Sequence, residues 1–317
     1  MEVFAMSQKI ATRTAYGAAL AEIGGNPNIV VLDADLSKST KTDTFKKKYP
    51  ERHINVGIAE SNMMSIAAGL AACGKTVFAS TFAIFASGRA YDQVRNSIGY
   101  PHLNVKIGAT HAGITVGEDG ASHQALEDIA LMRAIPGMTV ISPADAVSTG
   151  ALVKLAAEMV GPVYLRLGRL DVPVLYEENT KFEIGKGLTI KDGKNITLIA
   201  TGFMVQQALE AAERLKAEGI SARVIDLHTI KPIDTEIIVK AARETGAIIT
   251  CEEHNIMGGL GSAVSEVVVR NAPVPMDFVG VEDQFGKSGK PQDLIVKYGL
   301  TPEKIVEKAK ALLKRKK

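Results

Sequence analysis

The chain has 317 residues, of which 46% are hydrophobic, and its 37 Lys plus Arg nearly balance 35 Asp plus Glu for a formal net charge of +2. That length exceeds what one compact core usually encloses, so two domains are expected, and the balanced charge leaves no global field to recommend nucleic acid or an acidic membrane as partner. The basic close "KAKALLKRKK" reads as a solvated helix end, where cations are favoured, rather than a nucleic-acid tail. Cys73 and Cys251, the two cysteines, each lie in an apolar segment, which suits a reducing cytosol better than a disulfide framework. The opening "MEVFAMSQKIATRTA" lacks a signal peptide's long apolar stretch, and nothing later reaches the roughly 20 apolar residues of a membrane span, so a cytoplasmic protein with no membrane partner is the default expectation.

In chain order, helical periodicity runs from Lys9 to Ile23 and is closed by "GGNPN", after which "IVVLDAD" reads as a buried strand. The alternation continues with "KTVFAST" (strand), "IFASGRAYDQVRNSI" (helix), "NVKIGAT" (strand), "ALEDIALMRAI" (helix), "MTVIS" (strand), "AVSTGALVKLAAEM" (helix) and "PVYLRL" (strand). Strands apolar on both faces and separated by helices predict a mostly parallel sheet covered on both sides. The pattern lapses in "LDVPVLYEENTKFEIGKG", whose prolines, charges and glycines mark a boundary. A second series then runs through "NITLIAT", "VQQALEAAERLKAEG", "SARVIDL", "TEIIVKAARETG", "AIITCEEH", "LGSAVSEVVVRN" and "PMDFVGVE" to the helix "PEKIVEKAKALLKR". The expected fold class is α/β, with two doubly wound domains over residues 1–172 and 190–317 and a linker over 173–189.

"GLAACGKT", residues 69–76, fits the phosphate-loop pattern letter for letter. That loop works only between a strand and the helix whose positive end receives the phosphate. Here the order is reversed: Gly69 falls inside a helical pattern, Gly74 suits its left-handed terminator, and Lys75 and Thr76 lead into a strand. No G-x-G-x-x-G follows a strand either, so a dinucleotide fingerprint is missing.

Glu60, in "NVGIAESNMM", heads an apolar, small-residue run. A carboxylate in the first turn of a helix is stabilised by about 0.3 to 1 kcal/mol through the dipole and free N–H groups. A functional reading adds burial by Val56, Gly57, Ile58 and Ala59, which would raise the carboxyl pKa and prepare it to share a proton with a ring nitrogen. Phe82 and Phe85 in "STFAIF" share one face if a helix begins there, and ordinary core packing explains such a pair equally well. "GATHAGITVGEDGASHQ" places His111, Glu118, Asp119, His123 and four glycines in a polar loop after a strand. Packing does not require this, and such a loop lies at the sheet edge where α/β proteins bind ligands. The two histidines lack the tight pair spacing of zinc motifs, so hydrogen bonding and proton transfer to substrate hydroxyls are preferred over metal binding.

"INVGIAESNMMSIAAGLAACGKTVFASTFAIFASGRAYDQVR", together with "THAGITVGEDGASHQ", resembles the pyrimidine-binding domain of transketolases, and the likeness extends through "VLDADLSKS" and "VYLRLGR" into the C-terminal domain. Transketolases use thiamine diphosphate, and the diphosphate-binding domain with Gly-Asp-Gly and a downstream Asn has no counterpart in this chain. The resemblance is therefore to the C-terminal subunit of a split enzyme. It implies an N-terminal subunit as partner, an α2β2 assembly, and Mg²⁺ or Ca²⁺ and diphosphate held mainly by that partner, with no metal ligand in this chain.

By the same resemblance, Glu60 corresponds to the glutamate that bonds the aminopyrimidine ring nitrogen, making the exocyclic amine a base beside the thiazolium carbon that attacks a ketose carbonyl. Phe82 and Phe85 correspond to the aromatics stacking on the pyrimidine, with Gly88 or Tyr91 aligned to a third. Asp35 and Leu36 fall near the cofactor. His111, Asp119 and His123 correspond to donor-hydroxyl contacts, with proton relay as the role of the histidines. Arg13, Ser39 and Arg169 align with the phosphate-binding set, Arg166 being a nearby competitor for Arg169. In the second domain, "CEEHN" and "GGLGS" form a strand end and helix start that either bind an anion or are simply capped. The implied activity is transfer of a two-carbon ketol unit between sugar phosphates. A deoxyxylulose-phosphate synthase, a 2-oxoacid dehydrogenase beta subunit and a noncatalytic regulatory subunit are the alternatives.

Overall fold

The computed structural model describes residues 8–316; the first seven residues of the opening segment and Lys317 of the basic close lie outside the described residues. In chain order the strands are β1 (Lys9–Ala11), β2 (Ile29–Asp33), β3 (His53–Asn55), β4 (Thr76–Phe82), β5 (Val105–Thr110), β6 (Thr139–Ile141) and β7 (Val163–Arg166). They continue with β8 (Asp171–Pro173), β9 (Leu188–Lys191), β10 (Ile196–Ala200), β11 (Ala222–Asp226), β12 (Thr229–Lys231), β13 (Ile248–Asn255) and β14 (Met276–Val281). The first sheet has the order β12, β6, β7, β5, β4, β2, β3, and every pairing is parallel except β12 with β6. The second has the order β14, β13, β10, β11, β9, with only β9 antiparallel.

Strands β2, β5 and β7 are buried along their whole length. Helices cover both faces, so no polar alternation is needed and β-branched runs suffice. Side chains set several helix starts. Asp145 and Ser148 form a reciprocal capping box on the Ala146–Glu158 helix, and Asp234 and Thr301 cap the Thr235–Thr245 and Pro302–Leu313 helices. Gly74, at φ +86°, ends the Glu60–Ala72 helix in the left-handed region, and β4 follows at once, so the phosphate-loop pattern sits at a helix end.

Three local expectations give way. Lys9–Ala11 is strand β1 rather than the start of a helix, because it pairs with β8, Ile10 facing Val172; the helix is Thr12–Ile23. "IFASGRAYDQVRNSI" is not one α-helix: π-helical Phe85–Arg89 and Val94–Gly99 flank a single α turn, Tyr91–Gln93. The third is local to the sheet edge: the expected first sheet takes a strand from beyond the break in composition. Strand β12, from the second half, completes the first sheet, and one apolar cluster runs from Leu32, Val77 and Ile107 to Ile225, Ile248 and Leu260. Among the described residues no helix is long and apolar enough to cross a membrane.

A buried ion pair ties the two halves together. Arg166, at the end of β7, is 6% exposed and donates from Nε to Asp128 Oδ2 at 2.8 Å and from Nη2 to Oδ1 at 3.2 Å. The same Nη2 donates to the carbonyls of Ala125 (3.3 Å) and Glu253 (2.8 Å), while Tyr164 Oη donates to Asp128 Oδ2 at 2.8 Å. Removing one partner of such a pair strands the other charge. Arg166→Ala is therefore expected to cost about 3 to 5 kcal/mol in urea denaturation; a loss under about 1 kcal/mol would show that water readily replaces the guanidinium.

Candidate active site

Strands β7, β5, β4, β2 and β3 are neighbours and point the same way, so the segments after them emerge along one edge of the sheet. Arg169 follows β7, His111 follows β5, Phe85 follows β4, Asp35, Leu36 and Ser39 follow β2, and Glu60 follows β3. Arg13 joins them because the β1–β8 ribbon anchors its helix: Arg13 N donates to Gly168 O at 3.4 Å, and Gly168 N to Thr12 Oγ1 at 2.8 Å.

Glu60 is the first residue of the Glu60–Ala72 helix and is 5% exposed. Its Oε1 accepts from Arg89 Nη1 at 3.1 Å, and that guanidinium lies over the Phe85 ring, 3.8 Å from its centroid. Among the described residues Oε2 has no hydrogen-bonding partner. The expected enclosure by residues 56–59 holds only in part, since Ile58 is 77% exposed. Arg89 escaped the sequence reading because nothing local links it to a carboxylate 29 residues earlier. Phe82 and Phe85 do stand together, 5.6 Å apart and within 15° of parallel, but not on one helix face: Phe82 ends β4 and Phe85 opens the π-helical turn. Tyr91 is directed elsewhere, its hydroxyl donating to Leu131 O at 3.4 Å. Gly88 is exposed, and Arg89 is the group that lies against Phe85.

His111 has φ +58°, an unusual conformation for a residue with a β-carbon, costing roughly 1 to 3 kcal/mol. The surroundings hold it there. Its ring stacks on Phe82 at 3.8 Å, Nε2 lies 3.1 Å from Arg13 Nη1, and Nδ1 lies 2.9 Å from Thr110 Oγ1. Arginine can only donate, so Nε2 accepts and the ring proton sits on Nδ1. Burial, followed by the positive charges of Arg13, Arg169 and Lys41, pushes the His111 pKa down to about 3. It is a neutral imidazole at physiological pH. His123 is half-buried, edge-on to Phe85 at 5.3 Å, with Nδ1 2.9 Å from Ser122 Oγ.

Arg13 Nη1 also donates to Ser39 O at 3.0 Å, so Ser39 meets this arginine through its backbone, while Arg13 Nε is buried without a partner among the described residues. Arg169 donates to Val116 O and lies 3.5 Å from Glu118, leaving it at the edge, whereas Arg166 is consumed by the internal ion pair. Asp119 is exposed at the loop tip. Asp35, at φ +63°, exchanges two hydrogen bonds with the Asn55 side chain, and buried Asp33 accepts from Leu36 N, Thr40 Oγ1 and Thr42 Oγ1, fixing the loop that carries Leu36 and Ser39. In the second half, the helix start at "GGLGS" is capped from within: Glu252 accepts from Leu260 N at 2.7 Å and Gly261 N at 2.8 Å, which fills the anion position with the chain's own carboxylate. Among the described residues no group of three or more His, Cys, Asp or Glu could hold a metal ion.

Residues 8–174 match the transketolase pyrimidine-binding domain model, and residues 185–305 match the transketolase C-terminal domain model. The chain belongs to the transketolase family. A protein of Methanocaldococcus jannaschii with the provisional name transketolase C-terminal section is 52% identical over 96% of both chains. Rat transketolase is 41% identical over 98% of this chain but only 50% of its own length. Among solved structures, a split-gene transketolase described as an inactive beta4 tetramer superimposes with a TM-score of 0.92 and 57% identity, covering 97% of this chain and 100% of that one. The chain is thus a split-transketolase-like subunit, in a family of transferases that generally use thiamine diphosphate.

The depressed His111 pKa has a signed consequence. Below pH 6.5 the unfolded chain takes up a proton that the folded loop refuses down to about pH 3, so this residue's contribution to stability falls as pH drops through that window. Across pH 7 to 4 the chain should lose on the order of a few kcal/mol more than a His111→Asn variant in urea titrations. Parallel losses would mean that the folded loop accepts the proton.

Proposed function

We propose that this chain supplies the pyrimidine half of a transketolase site, passing a two-carbon ketol unit from a ketose phosphate to an aldose phosphate, and that it works only with an N-terminal subunit in an α2β2 assembly. The observation that carries the reading is a buried carboxylate, Glu60, beside the near-parallel Phe82 and Phe85 rings and the Arg13, His111 and Arg169 cluster. The donor set fits an aminopyrimidine: Glu60 Oε2 is free of protein partners among the described residues, and Phe85, whose outer face Arg89 covers, would present that face to the ring once the guanidinium is displaced. Bound thiamine diphosphate would supply the nucleophilic carbon that attacks the ketose carbonyl.

In this reading Glu60 shares a proton with the ring nitrogen, Phe82 and Phe85 hold the ring plane, and Asp35 and Leu36 line the approach. His111, held neutral, acts as a fixed hydrogen-bonding group, while the more accessible His123 moves protons to and from donor hydroxyls, with Asp119 at the channel mouth. Arg13, Arg169 and the Ser39 segment receive the substrate phosphate, for which guanidinium forks are suited. Magnesium or calcium and the diphosphate are assigned to the partner. The similarity to a split-gene transketolase described as an inactive beta4 tetramer supports the need for that partner.

The test is ketol transfer from xylulose 5-phosphate to ribose 5-phosphate with thiamine diphosphate and Mg²⁺, by this chain alone and mixed with the Gly-Asp-Gly subunit encoded in the same genome. Turnover is expected only in the mixture, and Glu60→Gln should lower it by about 100-fold or more. Unchanged turnover in that variant would remove Glu60 from the chemistry, and a complex that consumes pyruvate instead would replace the reaction.

A further inference from the structure

The loop carrying His111, Asp119 and His123 is not held by its own half of the chain alone. Thr115 N, in the tight Ile114–Val116 turn, donates to Glu253 Oε1 at 2.8 Å, a bond spanning 138 residues to the end of β13. Glu253 is 4% exposed, and its own carbonyl accepts from Arg166 Nη2 at 2.8 Å, so both its backbone and its side chain are fixed. Gly113, at φ +80°, lies against the Glu253 carboxylate so closely that a β-carbon has no room. His111 is two residues before Gly113, and its ring position is shared with Phe82 and Arg13.

We propose that Glu253 is a positioning residue for the transfer reaction: its carboxylate, reaching from the C-terminal half, sets the path of residues 113–115 and thereby the pose of His111 against Phe82 and Arg13. The proposal rests on the functional reading above for its catalytic consequence, while the positioning itself is a property of the chain. Reach, rather than charge, is the operative feature. The contact needs an oxygen acceptor at the length of a glutamate side chain; glutamine supplies it, aspartate keeps the charge but falls one methylene short, and alanine removes it.

The experiment compares Glu253→Gln, Glu253→Asp and Glu253→Ala with the parent in the reconstituted complex. Amide hydrogen exchange is followed over residues 110–118, thiamine diphosphate affinity by calorimetry, and KM and kcat for the ketose donor. Glu253→Gln is expected to match the parent, while Asp and Ala raise exchange in the loop by about tenfold and raise donor KM by a similar factor, with cofactor affinity within about twofold. Parent-like protection in Asp with loss of protection in a folded Gln variant would overturn the proposal in favour of a charge effect beside Arg166. Parent-like loops in all three would overturn it outright. Should the other two fail to fold, Glu253→Met, of similar length but without an oxygen acceptor, takes their place with the same expected loss of loop protection, and a parent-like loop in it would overturn the proposal. If the parent complex shows no ketol transfer, the functional reading falls, while the exchange data still decide whether Glu253 positions the loop.

Discussion

The arrangement depends on a guanidinium that is almost wholly buried. Arg166 leaves β7 inside the protein and is neutralised by Asp128, and its Nη2 also donates to the carbonyls of Ala125 and Glu253. Ala125 closes the histidine loop, Asp128 opens the next helix, and Glu253 lies within a strand of the other sheet. A buried charge tolerates little displacement, because every lost bond leaves it uncompensated in a poorly polarisable medium. Residues 125–128, the end of β7 and β13, which are distant in sequence, are thereby kept in register beside the loop that carries His111.

Cations gather around His111. Burial, reinforced by the charges of Arg13, Arg169 and Lys41, holds His111, a residue usually chosen for titration near neutrality, as a neutral donor and acceptor. Glu60, a few strands away, is balanced by Arg89, which also covers Phe85. Carboxylate, aromatic face and guanidinium are thus assembled from the end of β4, the start of one helix and an irregular π-helical turn. Such turns are often found at functional sites because they re-aim side chains that a regular helix would direct elsewhere.

Much of this was legible beforehand. Apolar runs short enough to be strands, alternating with helical periods, specify a parallel α/β protein, and the motif around Glu60 and the two-histidine loop carry the family. The rejected phosphate loop shows why context matters: Gly74 ends a helix, and the pattern cannot cradle phosphate there. The elements that resisted were those with few local determinants. Lys9–Ala11 has the composition of the helix it precedes and becomes a strand only because Val172 lies opposite Ile10. Thr229–Lys231 completes a sheet whose other strands are at least 63 residues earlier in the chain.

Sequence by itself determined the local periods, the helix caps, the glycines with left-handed backbone and the residue types available for chemistry, since each follows from side-chain volume, branching and hydrogen-bonding capacity over a few neighbours. Only the tertiary structure decided which charge meets which: Arg166 with Asp128 rather than with substrate, Arg89 with Glu60, Glu253 with Thr115. The reason is physical. A side chain's period along the chain fixes its face, but its electrostatic partner depends on strand order and on which loops share an edge, and these are set by the burial of apolar surface across the whole fold.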